Sequence, residues 1–397
     1  MSTPAVYTRR VSFNEKLYLA MEALDPGFCI QIAVEGTGEV DEGALSNAVA
    51  TAAAAHPGAR LVRTGALGWM RWVATGPVPP VRRVDGWTQG EAPPAVARPL
   101  SPESGPTCEV VYAPGPPTRI VFRCFHGVMD ASGLLVFAED VFRALRDESP
   151  MGADCALSDT EVVTALVGPR TRANIKSDRR TVNGAQSTAR TGNIARQLAF
   201  EGPLPGLVAR IASTLAGYAR QFHTGPFRAM IPVDLRNYKR DVRATGNMTY
   251  PLILEVDPEK TWRRLHREIL KHLGAKAPLH LDPSERAGRW APVWAIKTFY
   301  RLWTARHRRI GRYPVSVLIS HVALDTYAPF EGGGFVRNAA YFLPPPGDTL
   351  PLVVSAVSDR TSAHLVVSGP QALLGGDALD GVCTALEAGI APNPQAQ

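Results

Sequence analysis

The sequence predicts an α/β fold, in which short buried strands alternate with amphipathic helices. The clearest case begins at Ile120, where a nearly continuous apolar run to Phe125, rich in β-branched and aromatic side chains, predicts a buried strand. After Gly133 apolar residues recur at steps of three and four, which predicts a helix that packs one face on a core. His126 and Asp130 therefore lie in a tight strand-to-helix turn. The apolar residues of that helix are Leu134, Phe137, Val141 and Leu145.

Length and composition agree with a globular protein. The 397 residues suffice for two domains of ordinary size, and 45% are hydrophobic and 20% charged. No apolar run reaches transmembrane length, and residues 1–10 lack the apolar core of a signal peptide, so we expect a cytoplasmic protein without a transmembrane segment. The formal net charge of +7 fits either an ordinary solvated surface or an acidic partner.

The cysteine pattern indicates reduced thiols. The five cysteines are scattered without the spacing of metal ligands or of a disulfide framework. They are Cys29, Cys108, Cys124, Cys155 and Cys383. The sequence also lacks a P-loop, a dinucleotide fingerprint and a metal-ligand cluster, so we expect no bound cofactor, no metal and no nucleic-acid partner.

The N-terminal part begins with alternating helices and strands. Residues 11–24 predict a helix behind Ser12, a residue type that caps helices, and residues 28–34 predict a strand. The alanine-rich residues 41–55 predict a second helix, which His56-Pro57-Gly58 ends. The apolar face of the first helix is predicted to be Phe13, Leu17 and Met21.

Short strands are predicted between the second helix and Ile120. A turn over residues 113–118 would join the last of them to the strand that begins at Ile120, as a hairpin. The predicted strands cover residues 59–63, 67–73, 81–84 and 108–112.

Residues 168–193 differ in character, because basic residues alternate with Ser, Thr, Asn and Gly and almost nothing is apolar. We interpret this stretch as a solvated linker between residues 1–167 and residues 194–397; the alternative is a basic loop that holds phosphates. Its basic residues are Arg170, Arg172, Lys176, Arg179, Arg180 and Arg190.

The C-terminal part resumes the alternation of helices and strands. A helical pattern runs from Leu207 to Phe222, and residues 227–236 predict a strand, with Gly246-Asn247 ten residues further on. Later predictions are a strand over residues 315–319 that ends at Ser320-His321, a hairpin of residues 352–357 and 363–367, and a closing helix over residues 377–388.

Residues 290–303 contain five aromatic side chains at helical spacing, which most often indicates core. The alternatives are a wall for a large acyl or aromatic substrate and a face that lies on a membrane surface. An arginine cluster follows, which suits an acidic protein partner, the phosphate groups of a ligand, or simple solvation. The cluster comprises Arg301, Arg306, Arg308, Arg309 and Arg312.

The turn between the Ile120 strand and its helix carries candidate chemistry. A neutral imidazole is well suited to take a proton from an alcohol or amine near pH 7. The carboxylate of Asp130 could orient His126, or could lock the turn by pairing with a distant arginine. A histidine hydrogen-bonded in a core, without a catalytic role, is the alternative.

His126-Gly-Val-Met-Asp130 resembles the His-His-x-x-x-Asp-Gly motif of an acyltransferase superfamily. That superfamily includes chloramphenicol acetyltransferase, carnitine acyltransferases, condensation domains of non-ribosomal peptide synthetases and polyketide-associated acyltransferases. Phe125 replaces the first histidine of the motif, and Ala131 replaces its glycine, so Gly133 is expected to carry the turn instead.

A second resemblance lies in Pro-Val-Asp-Leu-Arg236 and the Gly-Asn247 that follows. It implies that Arg236 pairs with Asp130 in a buried ion pair that holds the two halves in register. The resemblance further implies that Ser320 helps to stabilise the oxyanion, although His321 stands where relatives have asparagine, and that Asn247 is a second candidate for substrate contact. Residues 331–334 are similar to the glycine-containing latch of relatives and are expected to form a flexible turn.

The resemblance implies two similar chloramphenicol-acetyltransferase-like halves, each a mixed sheet flanked by helices, with an active-site tunnel at their junction. The donor would be an acyl thioester on coenzyme A or on the phosphopantetheine arm of a carrier protein. His126 would take the proton of a hydroxyl or amine acceptor, which attacks the thioester directly. Cys124 is not expected to act as a nucleophile, because a buried thiol is a small hydrophobe.

The implied function is therefore an acyltransferase of secondary metabolism. Two alternatives stay open, namely a free-standing condensation enzyme that forms an amide on carrier-protein substrates, and a non-catalytic scaffold on the same fold. The acyl group, the acceptor and the choice between ester and amide are not specified by the sequence.

Overall fold

A computed structural model describes residues 6–87, 94–168, 175–184, 188, 190–280, 283–343 and 349–390. The fold is α/β, as the sequence predicts, with mixed sheets flanked by helices. The helices are α1 Phe13–Glu22, α2 Glu42–Ala55, α3 Pro94–Ala97, α4 Ala131–Leu145, α5 Asp159–Val167, α6 Leu207–Ala219, α7 Trp262–Gly274, α8 Pro283–Gly288, α9 Val293–Ile310, α10 Gln371–Leu374 and α11 Ala378–Ile390.

The strands form a five-stranded, a six-stranded and a three-stranded sheet. They are β1 Thr8–Arg10, β2 Cys29–Thr37, β3 Val62–Thr64, β4 Arg71–Val73, β5 Val81–Arg83, β6 Cys108–Ala113, β7 Thr118–Phe125, β8 Asn193–Glu201, β9 Phe227–Asp234, β10 Thr249–Val256, β11 Val317–Ala323, β12 Val336–Leu343, β13 Val353–Ser358 and β14 Ser362–Pro370.

The five-stranded sheet has the order β12-β2-β7-β6-β5, with β5 parallel to β6 and the other pairs antiparallel. Helices α2 and α4 cover one of its faces. Phe122 of β7 meets Phe137 and Phe142 of α4 in the buried core between them. Burial of such aromatic side chains stabilises the sheet end from which the His126 turn leaves.

The six-stranded sheet has the order β10-β9-β11-β13-β14-β8 and is also mixed, because β11 runs parallel to both β9 and β13. Helices α6 and α11 pack against it, with Ile211 and Leu215 of α6 fully buried. The predicted hairpin near residue 360 is confirmed as β13 and β14.

Strand β12 crosses from the C-terminal part of the chain into the five-stranded sheet, where it pairs with β2. The residues before it, predicted to be a flexible turn, are instead held tightly. Arg146 donates to the carbonyls of Pro329 and Glu331 at 2.7 Å each. A Cβ on Gly38 would lie 1.9 Å from the carbonyl oxygen of Gly334, so glycine at position 38 permits this close approach.

Two predicted strands are shorter than expected. Residues 57–60 form a 3-10 turn that begins at Pro57, so the strand predicted over residues 59–63 starts only at Val62. The strand predicted over residues 67–73 begins only at Arg71, because Leu67 has a φ of 52°, in the left-handed region that a strand excludes, and residues 67–69 form a 3-10 turn.

The stretch predicted as a solvated linker is partly anchored. Arg179 is buried, exchanges two backbone hydrogen bonds with Tyr313, and ion-pairs with Glu255. Arg170 and Arg172 of this stretch lie outside the described residues.

All five cysteines are free, in agreement with the predicted absence of a disulfide framework. No helix in the described ranges is long and apolar enough to cross a membrane.

Two predicted apolar faces are wrong. In α1 the buried residues are Glu15, Lys16, Leu19 and Ala20, because Glu15 ion-pairs with Arg9 and accepts from Trp72 Nε1 at 3.1 Å. In α9 the inward residues include Ile296, while several of the aromatic side chains of residues 290–303, predicted to be core, face outward. The exposed ones are Trp290, Trp294 and Phe299.

Candidate active site

The site is built on the turn between β7 and α4. Asp130 is the N-cap of α4, where its Oδ1 accepts a hydrogen bond from the backbone N–H of Gly133 at 2.8 Å. A capping carboxylate satisfies an N–H that the first helical turn leaves free, so it fixes the start of the helix. Ala131 is already helical, which explains why no glycine is needed directly after Asp130.

Arg236 binds Asp130 through two hydrogen bonds, each 3.1 Å long, from Nη1 to Oδ2 and from Nη2 to Oδ1. This is the contact that the motif resemblance implies. The backbone N–H of Met248 and the hydroxyl of Thr249 also donate to Oδ2, at 2.8 and 2.9 Å. Burial raises the pKa of Asp130, but the charge and hydrogen bonds of Arg236 outweigh it and hold the pKa below its usual value. The carboxylate is therefore ionised and fully occupied.

The guanidinium of Arg236 is equally well satisfied. Its Nη1 donates to Asp234 at 2.9 Å, its Nε to the carbonyl of Ala244 at 3.0 Å, and its Nη2 to the carbonyl of Gly246 at 2.7 Å. Arg236 lies in the 3-10 turn directly after β9, so this one side chain joins the C-terminal sheet to the N-terminal turn.

His126 has its ring fixed on one face and at one nitrogen. The ring stacks on Tyr18, with centroids 4.1 Å apart and planes 10° apart, and lies parallel to the more distant ring of Phe28. Its Nδ1 lies 3.2 Å from the carbonyl oxygen of Met129. Because a carbonyl only accepts, Nδ1 carries the proton and Nε2 keeps its lone pair. Burial lowers the pKa of His126, so the imidazole is neutral near pH 7.

Asn247 lies against the same turn. Its Nδ2 donates to the backbone carbonyl of His126 at 3.0 Å, and only 5% of the residue is exposed. Its Oδ1 is buried without a hydrogen-bond partner among the described residues. The Asn247 side chain also acts on the imidazole of His126, whose pKa it raises, although burial of the ring outweighs this effect.

Gly133 does not carry the turn, contrary to expectation. It is a helical residue of α4, and a Cβ there would lie 2.0 Å from the carbonyl oxygen of Thr245. The missing side chain lets the segment that bears Asn247 approach the helix, so the position supports the site through packing and not through an unusual φ.

Ser320 lies within β11, which continues to Ala323 and does not end at Ser320 as predicted. Ser320 lines a cavity of about 360 Å³ together with Ser132 and Thr249, which lie beside Asp130. His321 also lines it and pairs with Ser358 Oγ at 2.8 Å. The rest of the lining includes the apolar residues Leu204, Leu207, Val208, Ile231, Val233, Ile269, Leu270 and Leu273.

Sequence reasoning missed several residues of the site. Tyr18, Phe28 and Thr249 reach the turn only through the tertiary fold, and no local pattern marks them. Arg9 is a fourth, since its Nη2 donates to the carbonyl of Val128 at 3.0 Å while it ion-pairs with Glu15. In the sequence, Arg9 and Glu15 resemble ordinary polar surface residues, and no local pattern indicates that they are buried.

Cys124 is no nucleophile in this geometry. Its side chain is fully buried, and desolvation and the neighbouring Cys108 raise the pKa of the thiol well above its ordinary value. In the part of the chain that the structure describes, no group of three or more His, Cys, Asp or Glu residues could hold a metal ion.

Comparison with known proteins gives likeness at the level of structure alone. No protein-family model matches the chain, and no curated protein does. The starter condensation domain of rhizomide synthetase RzmA, solved as a mutant in complex with C8-CoA and Leu-SNAC, superposes with a TM-score of 0.66 at 14% identity, covering 97% of this chain and 96% of that one.

Two further solved structures agree. The RzmA starter condensation domain without substitutions has a TM-score of 0.61 at 14% identity, covering 98% of this chain and 96% of that one. The epimerization domain of the third module of tyrocidine synthetase B has a TM-score of 0.61 at 12% identity, covering 97% of each chain. At such identities the likeness shows the fold, which is the chloramphenicol-acetyltransferase-like fold of condensation domains.

Proposed function

We propose that this chain, which has the fold of condensation domains, is an acyltransferase that moves an acyl group from a thioester directly to a hydroxyl or amine. The observation that carries the proposal is the state of His126. Its ring is held by Tyr18 and by the Met129 carbonyl, it is neutral near pH 7, and with the proton on Nδ1 its Nε2 carries the lone pair. Those are the properties of a general base.

The proposed reaction needs no acyl-enzyme. His126 Nε2 takes the proton of the acceptor as its oxygen or nitrogen forms a bond to the thioester carbonyl carbon. The tetrahedral intermediate then expels the thiolate as the C–S bond breaks, and the proton on Nε2 passes to the sulfur. Asp130 and Arg236 do not exchange protons in this scheme, because each is saturated by hydrogen bonds. They hold the turn.

The donor in this proposal is an acyl thioester on coenzyme A or on the phosphopantetheine arm of a carrier protein. A structural neighbour was solved with C8-CoA and Leu-SNAC, which supports thioester substrates on this fold. The apolar cavity beside Ser132 and Thr249 is large enough for a small-molecule group, and we assign the acyl chain of the donor to it. Ser320 and Asn247 are the proposed polar contacts of the reacting groups.

Amide formation by the same base is the nearest alternative, and the acceptor alone distinguishes it from ester formation. A non-catalytic scaffold on this fold would have no need for a neutral, ring-stacked histidine beside an unsatisfied amide oxygen of Asn247. We therefore propose an enzyme, with a role in the biosynthesis of a natural product.

The test is transfer from a panel of acyl-coenzyme A and acyl-pantetheine donors to alcohols and amines, followed by mass spectrometry of the products. We expect His126→Ala to reduce turnover by about a hundred- to ten-thousand-fold, the usual loss of a general base, with unchanged thermal unfolding. Met151→Ala, at an exposed position, is the matched control. Turnover near wild type in folded His126→Ala would refute the assignment.

A second arm of the panel tests the acyl cavity. Leu270 lines the cavity but is half exposed, so a larger side chain is tolerated by the fold. Leu270→Trp should raise the KM of octanoyl donors by about tenfold, the cost of displacing a few methylenes, and leave acetyl donors unchanged. An equal effect on both donors would place the acyl chain elsewhere.

A further inference from the structure

Helix α9 presents large apolar side chains to solvent over its whole length. Trp294 is 71% exposed, Leu302 68% and Phe299 61%. Two more exposed tryptophans extend this surface beyond the start of the helix, since Trp69 and Trp290 lie edge to face with centroids 5.9 Å apart. We call these five residues the aromatic face. Contiguous exposed apolar surface of this kind usually marks an interaction site.

The aromatic face is interleaved with cations. Arg301 is exposed between Phe299 and Leu302, and Arg306 and Arg309 are exposed between Leu302 and the exposed Ile310. None of the three arginines forms an ion pair in the described part of the structure. Helix α9 contains no acidic residue. At 18 residues it is about 27 Å long, so the exposed aromatic rings of its first half and the arginines of its second half lie along an extended line and do not form a compact patch.

The opposite face of α9 is tied to the candidate active site. Helix α9 packs on α1, and Lys16 of α1 donates to the carbonyl of Ala291 at 3.0 Å, just before α9 begins. Tyr18, on the same α1, stacks on His126. A partner bound to the outer face of α9 would therefore lie one helix layer away from the catalytic turn.

We propose that the aromatic face of α9 is a docking surface for an anionic lipid bilayer, on which the protein rests without spanning it. Tryptophan, phenylalanine and leucine interleaved with arginine are the composition that partitions into the boundary between lipid headgroups and acyl chains. The absence of acidic residues from α9 matches a negatively charged surface. This inference goes beyond the transfer reaction and does not depend on it.

An extended bilayer fits these observations better than an acidic protein does. A protein partner is recognised by a few anchors that enter pockets, with charges at the rim. Here the aromatic side chains project outward from the first half of the helix, and the arginines follow them with Leu302 along its second half, so the exposed groups form a long strip. A bilayer has a flat, negatively charged surface and an apolar interior, so it can bind the arginines and the aromatic side chains at the same time.

The test is sedimentation of the full chain with vesicles of phosphatidylcholine alone and of equal phosphatidylcholine and phosphatidylglycerol. We expect binding to the anionic vesicles only, weakened by salt because surface charges are screened. Trp294→Ser with Phe299→Ser, and separately Arg306→Ser with Arg309→Ser, should each weaken binding by about tenfold or more. Met151→Ser with Arg240→Ser removes an exposed apolar residue and an exposed cation elsewhere and should leave binding unchanged.

A second measurement locates the contact. Brominated lipids quench tryptophan that enters the bilayer, so wild-type fluorescence should fall, and Trp294→Phe should bind normally with less quenching. Failure of the wild-type chain to sediment with anionic vesicles would overturn the proposal. So would equal binding by the face variants and their control. A rise in KM for carrier-bound donors in the face variants, without vesicle binding, would overturn it in favour of a protein partner.

Discussion

The rings of Tyr18 and His126 lie face to face, with centroids 4.1 Å apart and planes 10° apart. Tyr18 comes from α1 and His126 from the turn after β7, so the contact joins the first helix to the turn that carries the proposed base. Stacking covers one face of the imidazole, and together with the Met129 carbonyl it leaves the ring little freedom to rotate. We therefore expect Tyr18 to act as a positioning residue for the proposed base.

The first prediction concerns Tyr18. Tyr18→Phe keeps the stacked ring and should retain kcat, whereas Tyr18→Ala should lower kcat by about a hundredfold, because misplacement of a catalytic group by 1 Å can cost about that much. Tyr18→Ala also admits water, so the acid limb of its pH profile should move up toward the ordinary histidine value. Steady-state kinetics over pH measures both effects. Equal losses in Tyr18→Phe and Tyr18→Ala would contradict the stacking role.

The second prediction is the pH dependence of transfer. Burial lowers the pKa of His126 below its ordinary value of 6.5, so the neutral, active form persists to lower pH. The acid limb of kcat/KM, which reports the free enzyme, should therefore lie below 6.5. As pH falls through the lowered pKa, His126 takes up a proton and activity is lost. An acid limb above 7 would disagree with a desolvated base.

The sequence predicted the parts of the site that are local and failed where contacts are distant in the chain. His126, Asp130 and Arg236 belong to short motifs, whereas Tyr18 shows its role only after α1 packs on the turn. The crossing of β12 into the other sheet is likewise non-local. Aromatic residues at helical spacing suit a buried helix and an interfacial helix equally, so α9 could not be oriented from its sequence.

The third prediction concerns the Asp130–Arg236 pair. Arg236→Ala leaves a buried carboxylate without its cation and two carbonyls without donors, and should lower the free energy of unfolding by about 3–5 kcal/mol. The free energy of unfolding of Arg236→Lys should lie between those of wild type and Arg236→Ala, because an ammonium cannot reach all the acceptors that the guanidinium spans. Urea unfolding measures these losses. Arg83→Ala, which breaks an exposed pair with Asp85, should cost at most about 1 kcal/mol.

The comparison of Arg236→Ala with Arg83→Ala could also contradict the proposed role of the Asp130–Arg236 pair. If Arg236→Ala were no more destabilising than Arg83→Ala, the pair would not hold the two parts of the chain together. Asp130→Asn should resemble Arg236→Ala, and the double variant should lose less than the sum of the two, since both changes remove one network.

The fourth prediction concerns a carboxyl outside the motif. Desolvation by burial, with a contribution from nearby Glu15, raises the pKa of Asp159 to about 7. The folded protein then holds a proton that the unfolded chain has already lost above 3.8, so stability falls as pH rises between those two values. Asp159→Asn should remove this slope and be more stable than wild type at about pH 8. Urea unfolding at about pH 5 and about pH 8 tests it.

The control for Asp159 is Asp377→Asn, at an exposed position, which should leave the pH dependence of stability unchanged. Asn14, which donates to Asp159 at 2.7 Å, can turn its amide to suit the new side chain. If Asp159→Asn kept the wild-type pH dependence of the free energy of unfolding, another titratable group would be responsible for that dependence.

The last prediction uses two helical glycines as a matched pair. A Cβ at Gly133 of α4 would lie 2.0 Å from the carbonyl oxygen of Thr245, whereas a Cβ at Gly217 of α6 would meet nothing within 4 Å. Gly133→Ala should therefore lower the free energy of unfolding by about 1–3 kcal/mol, the usual cost of overpacking. Gly217→Ala should raise it by roughly 0.5–1 kcal/mol through helix propensity alone.

The two glycines should also differ in activity. The segment that Gly133→Ala pushes away carries Asn247, which holds the backbone of His126. Gly133→Ala should therefore reduce turnover in enzyme that is still folded, and Gly217→Ala should not. Urea unfolding and steady-state kinetics on the same preparations separate the two effects. Wild-type turnover in Gly133→Ala would mean that the approach of Thr245 to α4 does not position the base.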